Sequence, residues 1–293
     1  SCAKKDSKSD STSDTSDNFS NNYYAVGYNG TVLKSSDGSN WDKLSNFTYT
    51  HLQGIEYSLG KIVLVGNGGV IYTSTDGKNW NVQNSGIKYQ LLNIQYISGK
   101  FYSLGSMGAF VKSTDGVSWE KINYDTTTGF HGISYGNNVF IVVGRGGLLM
   151  RSTDGSNWDN VSSGTTQNLL DVRYGNNTFL AVGDNGTIIS SDDNGSSWTT
   201  RNSGVTNQLV GIVYYDSKFI VVGGRIIINS TDISTWTSVK SFSSNSLSSV
   251  KYANNQFIAV GTGGIIFTSN DGTNWNTETS GTSDHLMDIL YIE

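Results

Sequence analysis

The side chains of this chain that could do chemistry are few and widely spaced. Its 293 residues hold three histidines, His51, His131 and His285, and five arginines, Arg145, Arg151, Arg173, Arg201 and Arg225. Seven aspartates, Asp37, Asp76, Asp115, Asp154, Asp193, Asp232 and Asp271, recur every 39 residues inside one phrase. Outside it the plausible acids are Glu56, Asp125, Asp171, Asp184, Asp284 and Asp288. Glycoside hydrolysis would need two of these about 5–9.5 Å apart. Asp171 and Asp288, however, occupy slots where other units carry Gly, Asn or Ser, which marks a small polar position and not a catalytic pair. The histidines fall in separate repeat units, which argues against a three-histidine metal site. Neither a nucleophile-elbow spacing nor a phosphate-cradling glycine motif is present, and no metal or other cofactor is expected.

The elements that must position these residues are strands. Gly, Ser, Thr and Asn separate short apolar runs, aromatic residues make up 12 %, and no long stretch has a helical period. A net charge of -5 gives no electrostatic case for nucleic acid, because neutralising phosphates takes a basic face. No apolar run approaches the ~20 residues of a membrane helix.

The phrase reads SSDGSNW (35–41), STDGKNW (74–80), STDGVSW (113–119), STDGSNW (152–158), SDDNGSSW (191–198), STDISTW (230–236) and SNDGTNW (269–275), ending on Trp41, Trp80, Trp119, Trp158, Trp198, Trp236 and Trp275. Each unit adds an inner run such as LLDVRY (169–174), a middle run such as TFLAVG (178–183) and a third such as GTIISS (186–191), with the Trp opening a fourth. Four strands of about five residues fill the period. Sheets of that kind arranged radially make a seven-bladed, all-β propeller over 21–293. The chain enters on a middle strand and leaves on an inner one, so the last strand should complete the first blade.

An aspartate in a tight turn accepts hydrogen bonds from the backbone N–H groups ahead of it, the Gly relieves positive φ, and the Trp packs on the sheet. The phrase resembles the Asp-box, or BNR, repeat of sialidases, sortilin-like receptors, some glycoside hydrolases and photosystem II assembly-factor propellers. Blade number and phrase are most similar to the last of these and to WD40-YVTN-BNR-like bacterial surface proteins. Only Ser191–Trp198 keeps the usual spacing of one residue between Asp and Gly; the other six are one residue shorter. The resemblance implies a structural role for the seven aspartates and tryptophans, remote from any active site. It argues against a sialidase, which would need an Arg-Ile-Pro signature, whereas this chain has no proline. It implies a partner-binding scaffold. The arginine-rich patch associated with partner contact in assembly factors is poorly matched by five scattered arginines, so a photosynthetic role is not supported.

Function should then lie on the face opposite the boxes. There the short turns carry Arg145 and Arg225 as the only cations and Asp184 as the only acid, while the longer links bring Phe47, Tyr49, His51, Tyr89, Tyr124, Phe130 and His131 on three consecutive blades. Aromatic rings for stacking or anchoring, with Arg145 and Arg225 for an anionic group, make a recognition surface for a protein partner or a surface glycan. The ligand-binding candidates are Tyr49, His51, Tyr89, Tyr124, His131, Arg145, Asp184 and Arg225. The chain opens with SCAKKDSKSDSTSDTSDNFS, which resembles the processed end of a bacterial lipoprotein. Cys2 would be lipidated, residues 1–20 would form a disordered tether, and the propeller would sit outside the cytoplasm at the cell envelope or surface. The chain reads as a binding or assembly scaffold rather than an enzyme; the alternative is an envelope carbohydrate-active enzyme of glycosidase type, or a lectin.

Overall fold

In the computed structural model, residues 19–44, 46–124 and 127–293 are described. Cys2 and Asp125 lie outside them. Strands β1 to β28 form seven antiparallel four-stranded sheets, the blades expected from the repeat. Each begins at the central channel with an inner strand: β4 (Leu52–Ser58), β8 (Leu91–Ile97), β12 (Phe130–Gly136), β16 (Leu169–Gly175), β20 (Leu209–Tyr215) and β24 (Leu247–Ala253) head blades one to six. The seventh takes its inner strand, β28 (Leu286–Ile292), from the C-terminal end and its other three, β1 (Asn22–Gly27), β2 (Val32–Ser35) and β3 (Asp42–Lys43), from the beginning of the described chain. β1 and β28 pair from Asn22↔Ile292 to Gly27↔Leu286, which closes the ring with a ladder of backbone hydrogen bonds. Asp284 locks the same closure, accepting from Asn29 Nδ2 at 2.8 Å, Thr31 Oγ1 at 2.6 Å and Lys43 Nζ at 3.0 Å.

The middle strands read as unbroken apolar runs because both of their faces are buried between blades. In β13 (Val139–Gly144), Phe140 and Val142 face blade two, while Val139, Ile141 and Val143 pack against Leu169, Val172 and Phe179 of blade four. The fourth strands are shorter than the sequence suggests, only two residues at β3 and at β11 (Glu120–Lys121). Short, exposed outer strands leave little edge for another chain to pair with. Phe19, within the tether read from the sequence, is 8 % exposed and packs on Tyr24 and Tyr57.

The boxes sit between third and fourth strands and close as their residue types require. In blade seven, Ser35 Oγ donates to Asp37 Oδ1 at 3.0 Å, and that oxygen accepts from the N–H groups of Ser39 and Asn40, both at 2.8 Å. Gly38, at φ 79°, takes the left-handed position, and Trp41 Nε1 donates back to its carbonyl at 2.9 Å. Such donors hold box carboxyls below the usual carboxylate range: the amides of Ser118 and Val117 hold Asp115 at about 2, and the hydroxyl and then the amide of Ser197 hold Asp193 at about 2. Boxes also tie the ring together: Lys61 Nζ of blade one donates to Asp115 O of blade two at 2.7 Å, and Lys218 Nζ of blade five to Asp271 O of blade six at 2.7 Å. Among the described residues no helix is long and apolar enough to cross a membrane.

Candidate functional site

The face opposite the boxes is a continuous belt of backbone hydrogen bonds. In most blades the residue just before the inner strand accepts, through its carbonyl, from the turn between the second and third strands: His51 O from Asn67 N at 3.0 Å, Gln90 O from Ser106 N at 2.9 Å, Asn168 O from Asp184 N at 3.0 Å. At three places its side chain caps the preceding blade's turn. His51 Nδ1 accepts from Asn29 N at 3.0 Å, Asn168 Oδ1 from Gly146 N at 2.9 Å and His285 Nδ1 from Gly263 N at 2.8 Å. An imidazole and a carboxamide thus do the same work, and His51 also stacks flat on Tyr28 at 4.1 Å.

This belt divides the residues that the sequence grouped together. Asp184 accepts from Asn168 Nδ2 at 2.7 Å and Gln208 Nε2 at 2.8 Å, and Arg225 donates to Ser243 O at 3.2 Å. His51, Asp184 and Arg225 therefore serve the frame. Phe47 is half-buried and lies flat against Trp80 at 4.6 Å, and Phe130 is fully buried at the start of β12, so neither is a free ring on this face. His131 is half-buried at the channel mouth with its Nε2 unpartnered; burial first, then the neighbouring charge of Arg145, pushes its pKa down to about 4, against the opposing pull of Asp184. Tyr49 is 84 % exposed and Tyr89 51 %. Tyr124 is half-buried, its ring edge-on to Phe130 at 6.4 Å. Arg145 is exposed on an open cleft of about 1050 Å³ that it shares with Met107, Thr128, Ser163 and Thr165.

The channel has its own pattern, set by a bulge near the start of each inner strand. In β16 the register slips between Leu169 and Asp171, turning the second and third positions toward the axis. Asp171 then accepts from its neighbour Val172 N at 2.8 Å and from Ile212 N of the next blade at 2.9 Å. Asp288 does the same for Ile55 N at 3.2 Å, and Glu56 and Ser134, two positions deeper, accept from Tyr96 N at 3.1 Å and Tyr174 N at 3.0 Å. These side chains are blade-to-blade fasteners, which the sequence pattern did not reveal. Burial pushes Glu56 and Asp171 above the carboxylate range, opposed most by Lys251 and Arg173 respectively. The channel cavity, about 260 Å³, is lined by Asp171, Asp288 and Arg173 with Asn93, His131 and Lys251. Among the described residues no cluster of three or more His, Cys, Asp or Glu side chains could hold a metal ion.

Three residues absent from the sequence-derived candidate set belong to the exposed arc with Tyr89, Tyr124 and Arg145. Met107 is 50 % exposed, and Lys88 and Lys121 flank a groove of about 290 Å³ that also contains Tyr89 and Tyr124. Met107 could have been found by aligning the turns, because its counterparts are Asn29, Gly68, Gly146, Asn185 and Gly263.

Together these features define a seven-bladed Asp-box propeller with a hydrogen-bonded turn face carrying one arc of exposed aromatic and cationic side chains. The family model of photosynthesis system II assembly factor YCF48 (PSII_BNR) matches residues 58–225, and the chain belongs to that family. Among solved structures, YCF48 bound to a D1 peptide aligns with TM-score 0.70 at 16 % identity, over 85 % of this chain and 88 % of that one. YCF48 from Cyanidioschyzon merolae aligns at 0.68 and 17 %, over 84 % and 90 %. The WD40 β-propeller domain of Doa1 aligns at 0.67 and 14 %, over 92 % and 90 %. No curated protein is significantly similar in sequence.

Proposed function

We propose that this protein is a protein-binding assembly scaffold that recognises its partner through the turn face of blades one to four. The observation that carries the reading is the arc of Tyr49, Tyr89 and Met107, each at least half exposed, beside the exposed cations Lys88, Lys121 and Arg145. Aromatic and cationic side chains without partners of their own are the usual anchors of protein recognition. Membership of the YCF48 family and the similarity to a relative bound to a D1 peptide support a protein as the partner. A Ser-Cys pair followed by a Ser/Asp/Lys-rich stretch supports a lipid anchor at Cys2, which would hold the propeller at the envelope, outside the cytoplasm.

Capture from host envelope extract on the immobilised propeller tests the reading. One enriched protein, lost on Tyr49→Ala and Tyr89→Ala together with Arg145→Ala, is the expected result. Enriched or shortened glycan without an enriched protein overturns it in favour of a carbohydrate-binding or carbohydrate-cleaving module. Membrane fractionation of the Cys2→Ala chain tests the anchor; unchanged membrane association would remove it.

A further inference from the structure

The groove on the turn face of blade two is built to take a side chain. Its wall and floor are Ile87, Tyr89, Met107, Phe110, Ile122 and Tyr124, from the link entering the blade, its turn, its third strand and the link leaving it. At about 290 Å³ it lies at the small end of the ~300–1,000 Å³ range of small-molecule pockets, a size that suits one large apolar side chain.

Met107 supplies an independent pointer. Its φ is 56°, in the left-handed region where a Cβ is costly, and the equivalent turn positions hold Gly or Asn. Nothing in the frame asks for methionine there: the side chain is half exposed over the groove. Strain kept at an exposed apolar residue marks a recognition surface, and a flexible thioether adapts to varied partners.

The rim sets the charge of what enters. Lys88 and Lys121 are exposed, and neither forms an ion pair among the described residues. Arg145 stands on the adjoining cleft, which shares Met107 with the groove. A locally basic rim on a chain of net charge -5 runs against the overall balance and complements a partner of opposite sign.

We infer that the blade-two groove binds an extended acidic segment of the partner protein, seating one large apolar side chain against Met107 and Tyr89 with carboxylates toward Lys88 and Lys121. The inference rests on the protein-binding reading and deepens it.

Fluorescence polarisation with the full chain tests it, using labelled twelve-residue peptides in three forms. One has a central Leu-Phe pair flanked by Glu, one has the same pair flanked by Lys, and one has Ala-Ala flanked by Glu. The expected result at 150 mM salt is at least tenfold tighter binding of the first peptide than of either control. Met107→Asn, which keeps a residue type found in equivalent turns, should cost about tenfold in peptide affinity while melting no lower than the parent. Lys88→Glu combined with Lys121→Glu should reverse the preference toward the Lys-flanked peptide. Equal binding of the three peptides, or indifference to both variants, overturns the groove. If the peptides fail but the chain still captures a host protein, only the groove assignment falls; if both fail, the scaffold reading falls with it.

Discussion

Replacing Gly183 by alanine tests how the turn face is built. Gly183 ends β17 (Thr178–Gly183) opposite the bulge in β16, with extended backbone at φ -170° that any residue could adopt, so the constraint is purely one of space. A Cβ there would lie 1.9 Å from Asn168 O, and ordinary C···O contacts begin at about 3.3 Å. The carbonyl or the strand end must therefore shift by more than 1 Å. That carbonyl holds Asp184 N at 3.0 Å, and the Asn168 side chain holds both Asp184 and Gly146, so the turn support goes with it. Overpacking costs about 1–3 kcal/mol and a lost hydrogen bond about 1 kcal/mol, while reduced freedom of the unfolded chain returns about 0.4–1 kcal/mol. The net loss is about 2–3 kcal/mol, a fall in melting temperature of roughly 5–10 °C at about 2–4 °C per kcal/mol. Urea denaturation followed by tryptophan fluorescence, with calorimetry, measures it. Gly204→Ala is the control: φ is +71° but nothing lies within 4 Å of its Cβ, so only the backbone cost of about 1–2 kcal/mol applies. If Gly183→Ala melts within a degree of the parent, or above Gly204→Ala, close approach of the backbone is not what requires glycine here, and the argument fails for the equivalent glycines of the other blades too.

His131 has a folded pKa of about 4 against ~6.5 unfolded, so below pH 6.5 the unfolded chain takes up a proton that the folded chain refuses. Stability should fall between pH 6.5 and 4 by up to about 3 kcal/mol and then level off, and His131→Gln should flatten urea midpoints across that window. The box carboxyls are shifted downward as well, but in a more acidic window, so their contribution is present above the unfolded value near 3.9 and is lost as pH falls toward about 2. Acid unfolding followed by circular dichroism should take up several protons, and Asp115→Asn should lower that number; a one-proton transition would count against the boxes. Deleting residues 284–293 removes β28 and the Asp284 lock, exposing β1; loss of cooperative melting is expected, and a melting curve like the parent's would show that closure contributes little. Phe19→Ala should cost about 3 kcal/mol by the same urea assay, since its ring is buried against Tyr24 and Tyr57.

The blades were legible in the sequence because their causes are local and repeated. A left-handed turn wants Gly after the box aspartate, and a strand buried on both faces wants VFIVVG, and both signals recur at a fixed period. What the period does not contain is the placement of one blade against the next. Glu56 and Asp171 look like channel filler until the bulges turn them onto Tyr96 N and Ile212 N across the seam. His51 looks like a free imidazole on a loop until the preceding blade's turn arrives 3.0 Å away. Phe47, grouped with the exposed rings, finds Trp80 from a neighbouring box.

Near-identity of the units is also what separates frame from function on the turn face. Every turn must satisfy the same backbone constraints, so a residue that departs from the repeat either meets those constraints in another way or serves something else. Arg225 departs with φ 67°, but its guanidinium donates to Ser243 O and its blade turns in a tighter hairpin. Ile233 replaces a box glycine at φ 58°, yet its side chain packs on the core cluster beside Trp236, so burial offsets the strain. Met107 departs at the same kind of backbone cost and leaves half its surface in water, next to the exposed ring of Tyr89 and the ammonium groups of Lys88 and Lys121. Its strain is not repaid within the described chain, and the place where it could be recovered is a bound partner.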